Sequence, residues 1–212
     1  MTTEINAHRL VRDVIVIGAS AGGIRAVVEV LSRLPADLPA FIGVVIHRGA
    51  VSSEDWSRTI GSRTKLRVIE PSAGDALVHG TVYVAPADCH MTFEDGRIAL
   101  DGRAKEHFTR PAVDPLFTSA AKSYGSRVVG IILTGGGHDG MQGLLHITTA
   151  GGMSLVQKPS EAPHASMPAH AIAKDHVAAA LTVDAIGDAL PLLARGEVVP
   201  ILVGERVDPE RA

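Results

Sequence analysis

Aromatic residues are scarce, at 3% of 212 positions. The core must therefore be built from Val, Ile, Leu and Ala, and surfaces that stack unpaired bases on aromatic platforms are argued against. No basic run is present and the formal charge is −3, so nucleic acid is not an expected partner. A single cysteine, Cys89, allows no internal disulfide, which is compatible with a reducing cytoplasm. No apolar run approaches the roughly 20 residues of a membrane span. The longest, such as Val128 to Leu133, are strand-sized, so no direct membrane insertion is expected. The first twelve residues lack the apolar stretch of a signal peptide. Repeats, low-complexity tracts and linkers rich in Pro, Gly or Ser are missing. The simplest division is a polar arm over 1–12, one cytoplasmic domain over 13–195 and a tail over 196–212.

What remains is globular: 46% apolar and 20% charged residues, in a chain long enough to bury a real core. Short β-branched runs alternate with amphipathic stretches. Strands are expected at Asp13–Ile17, Phe41–Ile46, Leu66–Glu70, Thr81–Val84, Val128–Leu133 and Met153–Gln157. Helices are expected at Gly22–Leu34, Ser53–Ser62, Pro111–Tyr124, Met141–Ala150, Pro168–Asp175 and Asp184–Ala194. Ser52, Ser53, Glu54 and Asp55 supply cap residues and first-turn acids for the second of these. Met91–Glu94 and Arg97–Leu100 flank Asp95-Gly96, the signature of a hairpin. The alternation predicts an α/β fold: a doubly wound, mostly parallel sheet with helices on both faces, and one antiparallel hairpin near the active-site edge. Such sheets bind ligands beyond the carboxyl ends of their strands.

Three strand ends stand out. Gly18-Ala19-Ser20-Ala21-Gly22 matches G-x-S-x-G, the sharp strand-to-helix turn that exposes a serine hydroxyl. A phosphate loop or a plain tight turn uses the same backbone. As a nucleophile, Ser20 would sit at a helix N-terminus, with the amide of Ala21 as an oxyanion donor. His47 ends the second strand, and neighbouring strands lie only about 5 Å apart, so it can meet Ser20 as general base. Asp139 follows the strong strand from Val128, inside Thr134-Gly135-Gly136-Gly137-His138-Asp139-Gly140. It serves either as the N-cap of the helix from Met141 or as the group that orients His47. The amide of Gly136 is the second oxyanion candidate.

Other chemistries fit less well. The second glycine of G-x-G-x-x-G is replaced by Ser20, the Tyr-x-x-x-Lys pair of short-chain dehydrogenases is missing, and His47 stands where a dinucleotide site needs an acid. The G-K-[ST] of an ATP loop is lacking. The order Ser20, His47, Asp139 is not that of α/β-hydrolases, and the serine follows the first strand rather than a central one. No histidine falls in H-E-x-x-H or C-x-x-C spacing, so neither a metal nor a cofactor is expected. Cys89-His90 has no second motif to make it a nucleophile.

This order on this fold resembles the catalytic domain of CheB-type protein-glutamate methylesterases. The resemblance is carried by Ile17–Gly23, Val45–His47, Tyr83–Met91, Arg110–Phe117, Leu133–Gly140, Gln157–Pro159 and Ser166–Pro168. It implies a triad of Ser20 as nucleophile, His47 as base and Asp139 as orienter. The implied reaction is hydrolysis of γ-methyl glutamyl esters on the cytoplasmic helices of chemoreceptor-like proteins, with glutamine deamidation as a related activity. His138 would line the cleft. Arg48, Arg110 and Asp114 are candidates for substrate contact. The residues before Val14 are too few for the family's receiver domain, which makes a separate response regulator a candidate partner. The familiar family form has Ser-Thr-Gly-Gly at Ser20–Gly23, Gln-His-Met-Pro at Ile46–Gly49 and Met-Gly-Asn-Asp at Gly136–Asp139. These departures line the site and leave the receptor's identity open. Two other classes stand beside this reading: a non-catalytic module that docks on receptor helices, and a nucleotide-binding oxidoreductase.

Overall fold

The computed structural model describes residues 10–49, 55–174 and 177–200. Its strands are β1 (Val14–Ala19), β2 (Phe41–Ile46), β3 (Arg67–Ile69), β4 (Thr81–Val84), β5 (His90–Glu94), β6 (Arg97–Asp101), β7 (Val128–Ile132), β8 (Met153–Gln157) and β9 (Ala179–Leu181). The helices are α1 (Gly23–Ser32), α2 (Trp56–Gly61), α3 (Val113–Tyr124), α4 (Met141–Thr149), α5 (Ser166–Lys174) and α6 (Val183–Ala194). Seven strands form one parallel sheet in the order β3-β4-β2-β1-β7-β8-β9, and β5 pairs antiparallel with β6 in a separate ribbon. This is the doubly wound α/β arrangement with a hairpin that the sequence predicts. No helix among the described residues is long and apolar enough to cross a membrane.

Side-chain alternation along β1 explains its unbroken apolar run. Ile15, Ile17 and Ala19 pack into a core shared with α1 and α6, while Val14 and Val16 pack into the core shared with α3 and α4. A strand covered on both faces has no polar side to show. The same holds for β7, buried along its whole length.

Three expectations need correction. The serine does follow a central strand: β1 is first in the chain but fourth across the sheet. From β1 the chain passes to β2 beside it, on to the edge strand β3 and back to β4 between those two, then through the hairpin and α3 to lay β7 on the other side of β1. That reversal makes the end of β1 the switch point, where such sheets open a ligand crevice. The edge strand β9 was not foreseen, because its alanines carry little strand propensity; it forms by pairing with β8. Helix α2 is capped by Asp55, whose side chain accepts the amide of Arg58 at 2.8 Å, while Ser52, Ser53 and Glu54 lie outside the described residues. So do Asp175, the expected end of the fifth helix, most of the N-terminal arm and most of the tail.

Candidate active site

The site is assembled at the ends of three adjacent strands. Ala19 pairs with Ile46 in the β1–β2 register, so the next residues, Ser20 and His47, leave the sheet side by side. The amide of His47 donates to the carbonyl of Ala19 at 3.0 Å, and the amide of Ser20 donates to the carbonyl of Thr134 beyond β7 at 3.0 Å. Gly22 then turns the chain into α1 at φ +74, a left-handed conformation that favours glycine. Ser20 thus stands before the N-terminus of a ten-residue helix, whose dipole favours developing negative charge.

The glycine turn after β7 closes over this serine. A Cβ at Gly135 would collide with Met167 and come within 2.8 Å of the Ser20 Cβ, so only glycine fits this close approach. The turn is buttressed by residues with no obvious chemical signature in sequence. The side chain of Gln157 accepts the Thr134 amide at 2.8 Å, and the Thr134 hydroxyl bridges to the carbonyl of Ala21 at 3.1 Å. That hydroxyl also accepts the amide of His164 at 2.9 Å. Gln157 and Met167 both belong to motifs quoted above, and their place here explains them as supports. The amides of Ala21 and Gly136 donate to no described residue, and both residues are exposed, which leaves both N–H groups open.

Asp139 reaches His47. Its Oδ2 lies 2.6 Å from Nε2 of the imidazole, and the aspartate side chain is 1% exposed against 11% for the histidine. With Nε2 engaged, Nδ1 is the ring nitrogen left for a neighbouring group. Asp139 is not the N-cap of α4. That position belongs to Gly140 at φ +89, and the aspartate turns instead to the start of α3. There it accepts the amides of Val113 at 2.7 Å and Asp114 at 3.0 Å. Burial pushes the Asp139 carboxyl upward, but the His47 hydrogen bond, these amides and the imidazole's charge outweigh it and hold the group below the ordinary carboxylate range.

Of the three candidates for substrate contact, none is presented freely. Arg48 is buried: its guanidinium donates to the carbonyl of Ala85 at 2.7 Å, pairs with Glu70 at 3.0 Å and lies over the Trp56 ring. Arg110 is spent on Asp88 and on the carbonyls of Gly102 and Arg103. It makes no pair with Asp114. Asp114 is itself buried, accepting the amide of Gly143 at 2.6 Å and pairing with His107 Nε2 at 2.9 Å. Burial and the nearby charge of Asp139 raise its carboxyl above the ordinary range, although the Gly143 amide and His107 pull the other way. His107, Asp114 and Asp139 bring ligand-type atoms within 4.8 Å of one another.

His138 is exposed on the rim, beside Asp139. His107 is the neighbour sequence reasoning missed: it stands outside the quoted motifs, three residues before Arg110, and reaches Asp114 through a tight turn at φ +49. His90 is fully buried and bonds the carbonyl of Ala104 and the amide of Ala112, a structural role. Cys89 beside it is a free, half-buried thiol.

Known proteins resemble this chain in sequence and in fold. The CheB methylesterase family model matches residues 15–190. A Leptospira interrogans protein, provisionally named protein-glutamate methylesterase/protein-glutamine glutaminase, is 38% identical over 161 residues, which is 76% of this chain and 83% of that one. A Symbiobacterium thermophilum protein of the same name is 39% identical, again over 76% of this chain but only 44% of its own length. The crystal structure of the Thermotoga maritima CheB methylesterase catalytic domain superposes with a TM-score of 0.81 at 31% identity, covering 85% of this chain and 98% of that one. The chain belongs to the CheB methylesterase family.

Proposed function

We propose that this protein removes methyl esters from glutamate side chains of chemoreceptor-type proteins, through Ser20, His47 and Asp139. The observation that carries the reading is the 2.6 Å contact between His47 Nε2 and Asp139, set beside Ser20 at the switch point of the sheet. The names of relatives support the chemistry: the Symbiobacterium thermophilum and Pyrococcus horikoshii proteins are both called protein-glutamate methylesterase/protein-glutamine glutaminase.

In this reading Ser20 Oγ attacks the ester carbonyl while His47 Nδ1 takes the hydroxyl proton. Asp139 fixes the tautomer and stabilises the imidazolium without taking its proton. The carbonyl oxygen becomes an oxyanion held by the free amides of Ala21 and Gly136. The tetrahedral adduct expels methoxide, which takes the proton from His47 and leaves as methanol. Water, deprotonated by His47, then attacks the acyl-enzyme and releases the glutamate carboxylate and Ser20. A glutamine side chain would follow the same path and release ammonia. His47, ending β2 where a dinucleotide site needs an acid, is committed to Asp139, which disfavours the oxidoreductase alternative.

A fluorophosphonate probe tests the nucleophile. Intact-mass analysis is expected to show one adduct on the wild type, mapped to Ser20, and none on Ser20→Ala. Labelling elsewhere, or equal labelling of both proteins, would overturn the assignment and favour the docking-module reading.

A further inference from the structure

The chain has four phenylalanines, and three of them, Phe41, Phe93 and Phe117, are at most 4% exposed. The fourth, Phe108, is 96% exposed. In a protein so poor in aromatics, a phenyl ring left almost wholly in water contributes nothing to the core. Its backbone is as unusual as its exposure. Glu106 and Thr109 pair across a two-residue turn: the Glu106 amide donates to the Thr109 carbonyl at 3.2 Å, and the Thr109 amide donates to the Glu106 carbonyl at 2.8 Å. Between them, His107 and Phe108 have φ of +49 and +64. Turns with positive φ at both central positions favour Asn-Gly or Asp-Gly, and a bulky side chain there is a strained exception. The fold thus holds a ring in water on a backbone that disfavours it. Strain of this kind collects where a segment serves function rather than stability.

The turn is fixed against the site. His107 Nε2 bonds the Asp114 carboxylate at 2.9 Å, and the His107 ring meets that of His138 edge-on, with centroids 4.7 Å apart. His138 belongs to the glycine turn that closes over Ser20, between the open amide of Gly136 and Asp139. Phe108 follows His107 directly, so its ring stands beside the mouth of the crevice. The contacts of His107 account for where the turn sits, and they leave the neighbouring ring unexplained. A ring that stands in water does not line the crevice. It acts on the part of a substrate that stays outside, and only a macromolecular substrate has such a part.

We propose that Phe108 is the apolar anchor that grips the helix of a methylated protein substrate beside its ester. The occupant is named from the esterase reading, on which the proposal rests. Methylation takes the charge from a glutamate side chain and leaves an apolar methyl group, so the helix surface around the scissile bond suits an apolar contact. Side chains three and four residues from that ester share its face of the helix, where an anchor just outside the crevice meets them. Aromatic residues covered by a partner dominate the energetics of such contacts. Burying one phenyl ring corresponds to about tenfold or more in affinity.

The test is calorimetric binding of a methylated chemoreceptor cytoplasmic fragment to the full-length chain carrying Ser20→Ala, so that nothing is hydrolysed, and to the same chain with Phe108→Asn added. Asparagine tolerates the left-handed backbone, so the second protein is expected to melt at or above the temperature of the first. Its Kd should nevertheless rise by about tenfold or more, and Phe108→Tyr in its place should keep most of the affinity. With Ser20 present, Phe108→Asn should lower kcat/KM on the fragment, relative to that on a small soluble ester, by the same factor. A Kd unchanged by Phe108→Asn would overturn the proposal, as would failure of both proteins to bind the fragment. An equal loss on the fragment and the small ester would overturn it too, since that marks a structural role. Binding that depends on Phe108 without hydrolysis by the wild type would keep the anchor and reject the esterase reading. Hydrolysis with binding indifferent to Phe108 would do the reverse.

Discussion

Asp114 and Asp139 cap each other's helices. Asp139, before α4, accepts the first amides of α3, at Val113 and Asp114; Asp114, inside the first turn of α3, accepts the amide of Gly143 in the first turn of α4. The exchange locks two helix starts together and holds the carboxylate that faces His47. Replacing Asp114→Ala leaves the Gly143 amide buried without a partner. The expected cost is about 1–3 kcal/mol, or a fall in Tm of roughly 2–12 °C for a chain of this size. Urea unfolding of both proteins checks it, and an unchanged midpoint would contradict the capping role.

The glycines of the turn after β7 should respond in opposite ways. Gly135→Ala forces a methyl group against Met167 and Ser20, and is expected to destabilise the fold by about 1–3 kcal/mol and to depress turnover sharply. Gly136→Ala meets nothing within 4 Å. Its amide survives, so stability should stay within about 0.5 kcal/mol of wild type and turnover within a few fold. Equal tolerance of the two changes would show that the turn does not pack as described.

Acid stability should depend on Asp13. Burial pushes its carboxyl up, but the hydrogen bonds and charge of Arg127, at 2.8 and 2.7 Å, outweigh this and hold it below the ordinary value. In the unfolded chain the group titrates near about 3.9. A folded value lower than that stabilises the protein at higher pH, fully so at neutrality, and the contribution fades as pH falls through the folded value. Asp13→Asn is expected to lose about 1–2 kcal/mol at pH 7, since Arg127 is half in water, and to unfold with a shallower dependence between about pH 5 and 2. Parallel acid-unfolding curves for the two proteins would count against the pair.

Arg48 and Arg110 should behave as structural residues. Arg48 is walled in by Ala85, Glu70 and Trp56, and Arg110 ties Asp88 to the end of the hairpin. Alanine at either position is expected to lower stability by about 1–3 kcal/mol with KM nearly unchanged. A KM raised tenfold or more at unchanged stability would restore them as contacts for an acidic substrate surface.

The strands were legible where both faces are buried, because a continuous β-branched run has one physical reading. Phe41–Ile46, Thr81–Val84 and Met153–Gln157 were read with the bounds observed. The short edge strand at Ala179–Leu181 was not, since pairing with β8 and not local propensity makes it. The meeting of Ser20, His47 and Asp139 at three strand ends was readable because each sits in a turn with a signature. Their supports were not. Thr134 and Gln157 act through backbone hydrogen bonds, and His107 reaches Asp114 through a tertiary contact that leaves no spacing along the chain. The role of Asp139 as a cap was readable, but the helix was misassigned: local order suggests α4, whereas packing brings it α3.

Methanol release from methylated chemoreceptor cytoplasmic fragments, with wild type measured beside Ser20→Ala, tests the central claim most directly. The account predicts steady release by the wild type and a loss of about 10⁴-fold or more in the variant, both proteins being folded. Release that persists in Ser20→Ala would contradict the assignment of the nucleophile. No release by the wild type would contradict the chemoreceptor-type substrate.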